Sequence, residues 1–346
     1  MILIFAGAGA STALNPAKYP TTEQYFQRLP DGIARDPLFS LVTDYFESVG
    51  ESTPDIEQVL WELADLSRAL QQLASTRQLL GYAFDQNRLG AAARTSGDTH
   101  TAHSKAPQWA RQTESLRQRI HEHVYDLYGE EPTSEEIGST WGPLIDKLLS
   151  LHANVQVFTT NYDTVLEDSL EAVAEANPNH PRVETGAAGP HHRPRLSLRH
   201  WTNASLSQPG GLLTKLHGSV DWSWDQQLIS TGNRIYKGDH KKHVIVYPGY
   251  KGEAEDTPFR EFHRHFERSL ENAKAMLFVG YAFRDPYLNQ AIQRYRNKDS
   301  PCLVVNPQED LSVPFEEGSY FHHAKGFAGE VIHHPFFTSL VNAIHS

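Results

Sequence analysis

Five short segments carry side chains whose types and spacing could do chemistry. Gly7-Ala8-Gly9-Ala10-Ser11 follows an apolar run and would open a helix. Backbone N–H groups in such a turn can cradle a pyrophosphate, helped by the helix N-terminus. Thr12 stands where the dinucleotide fingerprint has its third glycine, and no strand-end acid follows at the usual spacing of about 20 residues. A tight β–α turn without a ligand is the alternative reading. Thr159-Thr160-Asn161-Tyr162-Asp163 closes a second apolar run. Asn161 and Asp163 are two apart, so both can point into one pocket, or both can serve Asx turns that satisfy the backbone. Lys215-Leu216-His217-Gly218-Ser219 ends a third run. A histidine there suits proton transfer near neutrality, and Gly218 would let a substrate approach the backbone; a hydrogen-bonded structural histidine is the alternative. Gly280-Tyr281-Ala282-Phe283-Arg284-Asp285 and Val304-Val305-Asn306-Pro307 are two further turns. Gly280 fits a close backbone approach and Asn306 a ribose hydroxyl, with turn formation as the alternative for each.

The elements that must position these turns follow from hydrophobic pattern. Ile2–Ala6, Val155–Phe158, Leu212–Leu216, Val244–Tyr247, Met276–Val279 and Leu303–Val305 are short apolar runs that read as buried strands. Helical patterns follow several of them, from Thr164 and from Asp285. Strand, turn and helix in alternation predict a Rossmann-like α/β fold, a parallel sheet with helices on both faces. Ligands in such sheets bind beyond the carboxyl ends of the strands. Between these parts, residues 38–139 read as a helical insertion module. Val59, Leu63, Leu66, Leu70 and Leu73 mark one helix, which Ser52-Thr53-Pro54-Asp55 would start. Leu116, Ile120, Val124 and Leu127 mark another, which Gly129 would end. Asn87–Ala106, rich in Gly, Ser, Thr and Ala, reads as a loop. Residues 178–209, rich in Pro, His, Arg and Gly, read as an excursion. The expected domains are therefore 1–37 with 140–346, and 38–139.

Composition sets the outer limits. The 346 residues suit about two domains at roughly 150 residues each. Hydrophobic residues make up 39% and charged residues 21%, an ordinary globular balance. A formal net charge of −11 argues against direct nucleic-acid binding, which needs a basic surface. No run reaches the roughly 18 apolar residues of a membrane span. Cys302 is the single cysteine, so neither an intramolecular disulfide nor a Cys-rich zinc site can form. The chain is expected to be cytoplasmic. His191-His192, His240/His243, His263/His265 and His333-His334 are scattered over separate elements, and His121-Glu122-His123 lacks the spacing of a zinc-protease helix. No metal is expected.

Taken in order, Gly-Ala-Gly-x-Ser at the start, Thr-x-Asn-x-Asp near 160, His-Gly near 217, a Gly-led turn near 280 and a strand ending in Asn near 306 resemble the sirtuin family. The stretch around Asp55-Ile56-Glu57 and the Tyr247-Pro248 strand end resemble its prokaryotic, anti-phage defence branch. The resemblance implies NAD as substrate, cleaved at the nicotinamide–ribose bond. It implies that Gly7, Ala8, Gly9 and Ser11 hold the phosphates, that Thr160, Asn161 and Gly218 lie against the nucleotide, with Asn161 contacting the nicotinamide ribose and helping to place the nucleophile, that Asp163 faces the carboxamide, that His217 is the base, and that Gly280 and Asn306 line the adenosine half. Two departures bear on activity. The chain cannot build the four-cysteine zinc module of the deacylases, and Pro20-Thr21-Thr22 stands where deacylases carry Pro-Asp-Phe-Arg. The resemblance thus implies an NAD hydrolase that releases nicotinamide and ADP-ribose, an effector of anti-phage defence through NAD depletion. ADP-ribosyl transfer by the same cleavage, and a non-catalytic NAD or ADP-ribose sensor, remain open. The implied partners are further copies of the chain and a separate trigger protein, such as a ring-shaped ATPase or a nucleotide-handling sensor.

Overall fold

The computed structural model describes residues 1–50, 56–75, 97–188, 195–197, 199–225, 228–231, 243–245, 258–316, 318–324 and 329–345. Ser52–Asp55, Asn87–Ser96, His191-His192, His240 and Tyr247-Pro248, singled out above, lie outside the described residues. Two compact units emerge, residues 1–22 with 125–346, and residues 23–124. The helix Ser134–Ser139 thus falls in the first unit, where the sequence reading placed it in the insertion.

The first unit is built on seven parallel strands: β1 (Ile2–Ala6), β2 (Asn154–Thr159), β3 (Val183–Glu184), β6 (Gly210–Lys215), β10 (Ala275–Val279), β11 (Cys302–Val305) and β12 (Phe321–His323). Their order is β12-β11-β10-β1-β2-β6-β3. β1 is central and pairs Ile2 with both Ala275 and Val155. Every residue of β1 and β10 is buried, as expected where helices cover both faces. Ile2, Ile4 and Ala6 share one apolar cluster with Val157, Leu277 and Leu303 and with the helices Trp141–Ser150, Val165–Ala176 and Phe336–His345. Leu3 and Phe5 point the opposite way, to Phe158, Phe278 and the helices Phe259–Asn272 and Pro286–Tyr295. This period of two is the pleat of a strand buried on both sides.

A second sheet was not anticipated. β4 (Ala187–Ala188), β5 (Arg195–Leu196), β8 (Leu228–Ser230), β7 (Gly218–Asp225) and β9 (His243–Ile245) form a five-stranded sheet in that order, with antiparallel pairing. The run at Val244 therefore belongs to an antiparallel sheet, not to the parallel one. The joint between the sheets is Gly218, which turns at φ +87° between β6 and β7, where a Cβ would overlap the Val244 carbonyl.

The second unit is helical. Asp36 caps the helix Pro37–Ser48, accepting the Leu38 N–H at 3.0 Å. Val59, Leu60 and Leu63 are buried on the helix Ile56–Ser75. One long helix spans Gly97–Tyr128, and the division between the units falls within it. Its first turns correct the loop expected up to Ala106. Ala106, Ala110, Thr113, Leu116, Ile120 and Val124 are all buried at three- and four-residue spacing, so tertiary burial overrides a small, polar composition. Gly129 follows the last turn, where a Cβ would sit 2.6 Å from the Tyr125 carbonyl. Among the described residues no helix is long and apolar enough to cross a membrane.

Candidate active site

Because the seven strands are parallel, their carboxyl ends share one edge. Gly7 follows β1, Thr160–Asp163 follow β2, His217 follows β6, Gly280 follows β10 and Asn306 follows β11. The chain leaves β1 toward β2 and returns to its other side through β10, so the reversal of strand order lies beside Gly7 and Gly280.

The two glycine turns interlock. Gly7 donates its N–H to the Val279 carbonyl at 2.9 Å, and Gly9 donates to Gly280 at 3.0 Å. A Cβ on Gly7 would meet Tyr281 Cα at 2.6 Å. Gly280 sits at φ +61°, and a side chain there would overlap the Ala10 nitrogen. The glycines are thus required for backbone-to-backbone packing, and the Gly7 and Gly9 N–H groups are already engaged within the fold. Ala8 is the exposed residue of this turn.

Asn161 is held by the glycine turn. Its amide nitrogen donates to the Gly7 carbonyl at 3.0 Å and to Ser11 Oγ at 2.9 Å. Its own N–H donates to Thr159 Oγ1 at 2.9 Å, and Thr159 Oγ1 donates to the Ala6 carbonyl at 3.0 Å. With the amide nitrogen pinned, Asn161 Oδ1 is left as a buried acceptor with no hydrogen-bond partner among the described residues. Such an atom is costly to bury unless something donates to it. Thr160 joins the same edge through its N–H to Ala6, at 3.4 Å.

Asp163 hydrogen-bonds Ser11 and accepts the Val165 N–H at 3.1 Å, an Asx-type turn just before the helix Val165–Ala176. Burial raises its carboxyl above the ordinary carboxylate range, against the pull of the Lys215 ammonium and the Ser11 hydroxyl. The turn chemistry open from the sequence is therefore present at Asp163. Lys215 lies beneath this loop, 2% exposed. Its ammonium donates to the carbonyls of Tyr162 (3.3 Å) and Asp163 and to Ser219 Oγ (2.8 Å), and pairs with Glu167 at 2.9 Å. Burial, with Asp221 nearby, pushes the Glu167 carboxyl up to about 7 despite Lys215.

His217 is buried at the β6–β7 joint, with Nε2 3.4 Å from Asp285 Oδ2. The other oxygen of Asp285 accepts the N–H groups of Tyr287 (2.9 Å) and Leu288 (3.0 Å) at the start of the helix Pro286–Tyr295. Burial alone would raise the Asp285 carboxyl, but the neighbouring His217, the Leu288 N–H and His263 hold it below the usual range. His263 stands edge-on to Tyr287, and burial next to His217 pushes its pKa down to about 4. Asn306 uses its amide locally, donating to the Tyr281 carbonyl (3.1 Å) and accepting the Gln308 N–H (2.9 Å). This ties the β11 turn to the Gly280 turn.

The structure thus brings Gly7, Ser11, Asn161 and Asp163 into one hydrogen-bonded group and packs Gly9 and Gly280 against each other. It sets His217 and Asn306 on the same sheet edge. Sequence reasoning missed Asp285, His263, Lys215 and Glu167. Asp285 was legible as a helix cap before Pro286, but not the target of its second oxygen. His263 falls on the buried stripe of Phe259, Phe262, Phe266 and Leu270, a spacing that marked it as internal. His265 also faces inward and meets Gln156 Oε1 at 2.8 Å, in a buried chain running on to Asn154. A separate cleft of 570 Å3, lined in part by Arg182, Arg199, His200 and Glu184, lies at the amino ends of β2 and β6, away from these groups. Among the described residues no group of three or more His, Cys, Asp or Glu side chains is disposed to hold a metal ion.

Residues 155–323 match the family model described as SIR2-like domain. One solved structure, titled "The Structural basis of Sirtuin Substrate Affinity", is 12% identical, with 94% of this chain and 89% of that chain covered and a TM-score of 0.34. A likeness that distant carries no argument about this chain. No curated protein matches it.

Proposed function

We propose, starting from the SIR2-like segment at residues 155–323, that this protein binds NAD at the carboxyl edge of the parallel sheet and hydrolyses its nicotinamide–ribose bond. The observation that supports this most directly is Asn161 Oδ1, a buried acceptor without a partner beside the glycine turn. A ribose hydroxyl or an attacking water would supply the missing donor.

The chemistry asks little of the protein. The C–N bond between ribose C1′ and nicotinamide breaks with both electrons going to the ring nitrogen, so nicotinamide leaves as a neutral pyridine. Positive charge develops on the ribose, as in glycoside cleavage. Water then forms the new C1′–O bond and gives up one proton. Asn161 orients the ribose or the water, His217 takes the proton, and Asp163 with Ser11 borders the nicotinamide end. Ala8 offers the glycine turn to the phosphates, Gly218 and Thr160 flank the nucleotide, and Gly280 and Asn306 shape the adenosine side.

The wider role rests on the resemblance to the defence-associated branch. The protein acts in the cytoplasm as an anti-phage effector that depletes NAD, assembled as a homo-oligomer and switched on by a separate protein. The acidic surface leaves nucleic-acid sensing to that partner.

Incubation with NAD labelled in the adenosine half separates the readings. Free ADP-ribose identifies a hydrolase, label on a macromolecule identifies an ADP-ribosyltransferase, and binding without turnover identifies a sensor. Asn161→Ala and His217→Ala are each expected to lower nicotinamide release by about 10²- to 10⁴-fold. Unchanged release in both folded variants, under conditions where the wild type turns over, refutes the assignment.

A further inference from the structure

His217 does not stand alone. Its Nε2 faces Asp285 Oδ2 at 3.4 Å, and that carboxylate belongs to a different segment of the chain. Asp285 has little freedom to move, because Oδ1 accepts both the Tyr287 and Leu288 N–H groups. The turn before it is fixed as well. Phe283 holds φ +53°, a conformation unfavourable for an aromatic residue, and is kept there by packing. Its ring lies against Phe278, Tyr281 and Phe315, and its carbonyl accepts the Asn289 side-chain amide at 2.6 Å. On the other side of the pair, His263 is 7% exposed and its Nδ1 has no hydrogen-bond partner. A neutral His263 places no competing positive charge beside His217.

We infer that Asp285 is the positioning residue for His217. Its carboxylate fixes the ring with the proton on Nε2 and stabilises the imidazolium that forms when His217 takes a proton. The bonds to Tyr287 and Leu288 prevent the carboxylate from turning away, and the Phe283 turn sets its distance from the sheet edge. No bond to substrate is assigned to Asp285. The inference rests on the cleavage reading above, because it assumes that His217 moves a proton.

The test is Asp285→Asn, which keeps a capping oxygen for the helix and removes the charge. Nicotinamide release is expected to fall about 10²-fold in kcat while KM for NAD stays within about 2-fold, the signature of an interaction made in the transition state. The thermal midpoint should stay close to that of the wild type. A second readout does not depend on turnover. In protein labelled with 15N-histidine, the ring signal that His217→Ala removes is expected to report protonation at Nε2 in the wild type and to change in Asp285→Asn. Retained kcat, a rise confined to KM, or an unchanged ring signal each overturns the inference. Should Asp285→Asn not fold, Asp285→Ser repeats the test with a shorter capping side chain. Asn161→Ala and His217→Ala run alongside. If they too leave release unchanged, the cleavage reading itself fails; if they abolish it while Asp285→Asn retains it, Asp285 alone is misassigned.

Discussion

Replacing Lys215 by Met removes the cation around which the Asn161 loop is built. The Lys215 ammonium contacts Glu167, Ser219 and the carbonyls of Tyr162 and Asp163. The side chain is 2% exposed and that of Glu167 is 17% exposed, so solvent cannot replace what is lost. Met matches the length of lysine and keeps the packing, which isolates the electrostatic part of the change. Removing one partner of a buried ion pair costs about 3–5 kcal/mol, because the other charge remains without compensation. Glu167 can relieve part of this by taking up a proton, since its carboxyl already lies at about 7 with Lys215 present. Without the lysine it rises further. The loss of stability should therefore be smallest at about pH 6, where Glu167 is already largely protonated and the hydrogen bonds of Lys215 are what is lost, and grow by up to about 1.4 kcal/mol per pH unit above 7. The double substitution Lys215→Met with Glu167→Gln removes both charges and should recover the pH-dependent part of the loss at pH 8. Denaturant melts of the wild type, both single variants and the double variant, at pH 6 and pH 8, measure every quantity. At pH 8, a loss below about 1 kcal/mol for Lys215→Met, or a double variant no more stable than Lys215→Met alone, refutes the reasoning.

Two further outcomes follow from the same edge of the sheet. Gly280→Ala forces a Cβ onto backbone atoms of Gly9 and Ala10 at φ +61°, so about 1–2 kcal/mol of left-handed strain adds to a clash that no side chain can relieve. On the proposed NAD reading, the thermal midpoint and NAD affinity should fall together in a calorimetric titration; an unaltered affinity would show that the interlocked turns do not shape the proposed nucleotide site. Glu167 sets a pH dependence of definite sign. Its folded pKa of about 7 exceeds the ordinary value of 4.5, so the folded protein binds this proton more tightly than the unfolded chain. Its contribution is present in full below 4.5 and is lost as pH rises through 7, by at most about 3 kcal/mol. Glu167→Gln should flatten the stability profile across that window, and an unchanged slope counts against a raised Glu167.

The centre of the parallel sheet was legible because β1, β10 and β11 are short, wholly apolar runs closed by a turn signal, whereas the two-residue β3 and the polar β12 were not. Ile2–Ala6 before Gly7, and Ala275–Val279 before Gly280, read the same way in sequence and in space. The helices from Thr164 and Asp285 were legible from their helical period. The antiparallel sheet was not. Its strands β4 and β5 are two residues each, too short for any alternation to register. The helix through Ala106 was hidden by alanines and polar residues whose burial depends on distant partners. At the site, the turns announced which residues stand on the sheet edge but not what each side chain does there. Asn306 and Asp163 turned out to make the local bonds that turns require, and Ser11 to bond Asn161 and Asp163. Pairs such as His217 with Asp285, or Lys215 with Glu167, join separate segments and leave no trace in local pattern.

The position of β1 has a consequence for synthesis. It precedes both of its neighbours, β2 and β10, in the sequence, and the Gly7 turn is complete once Gly280 and Tyr281 lie against it. Asp285 and Asn306 come later still. A nascent chain that has emerged as far as β6 carries Asn161 and His217 but neither the β10 wall of the glycine turn nor the carboxylate that faces His217. Closing β1 against β10 joins residues as distant in sequence as Ile2 and Ala275, so this is a slow contact. Nascent chains that end before β10 would therefore lack an assembled candidate site.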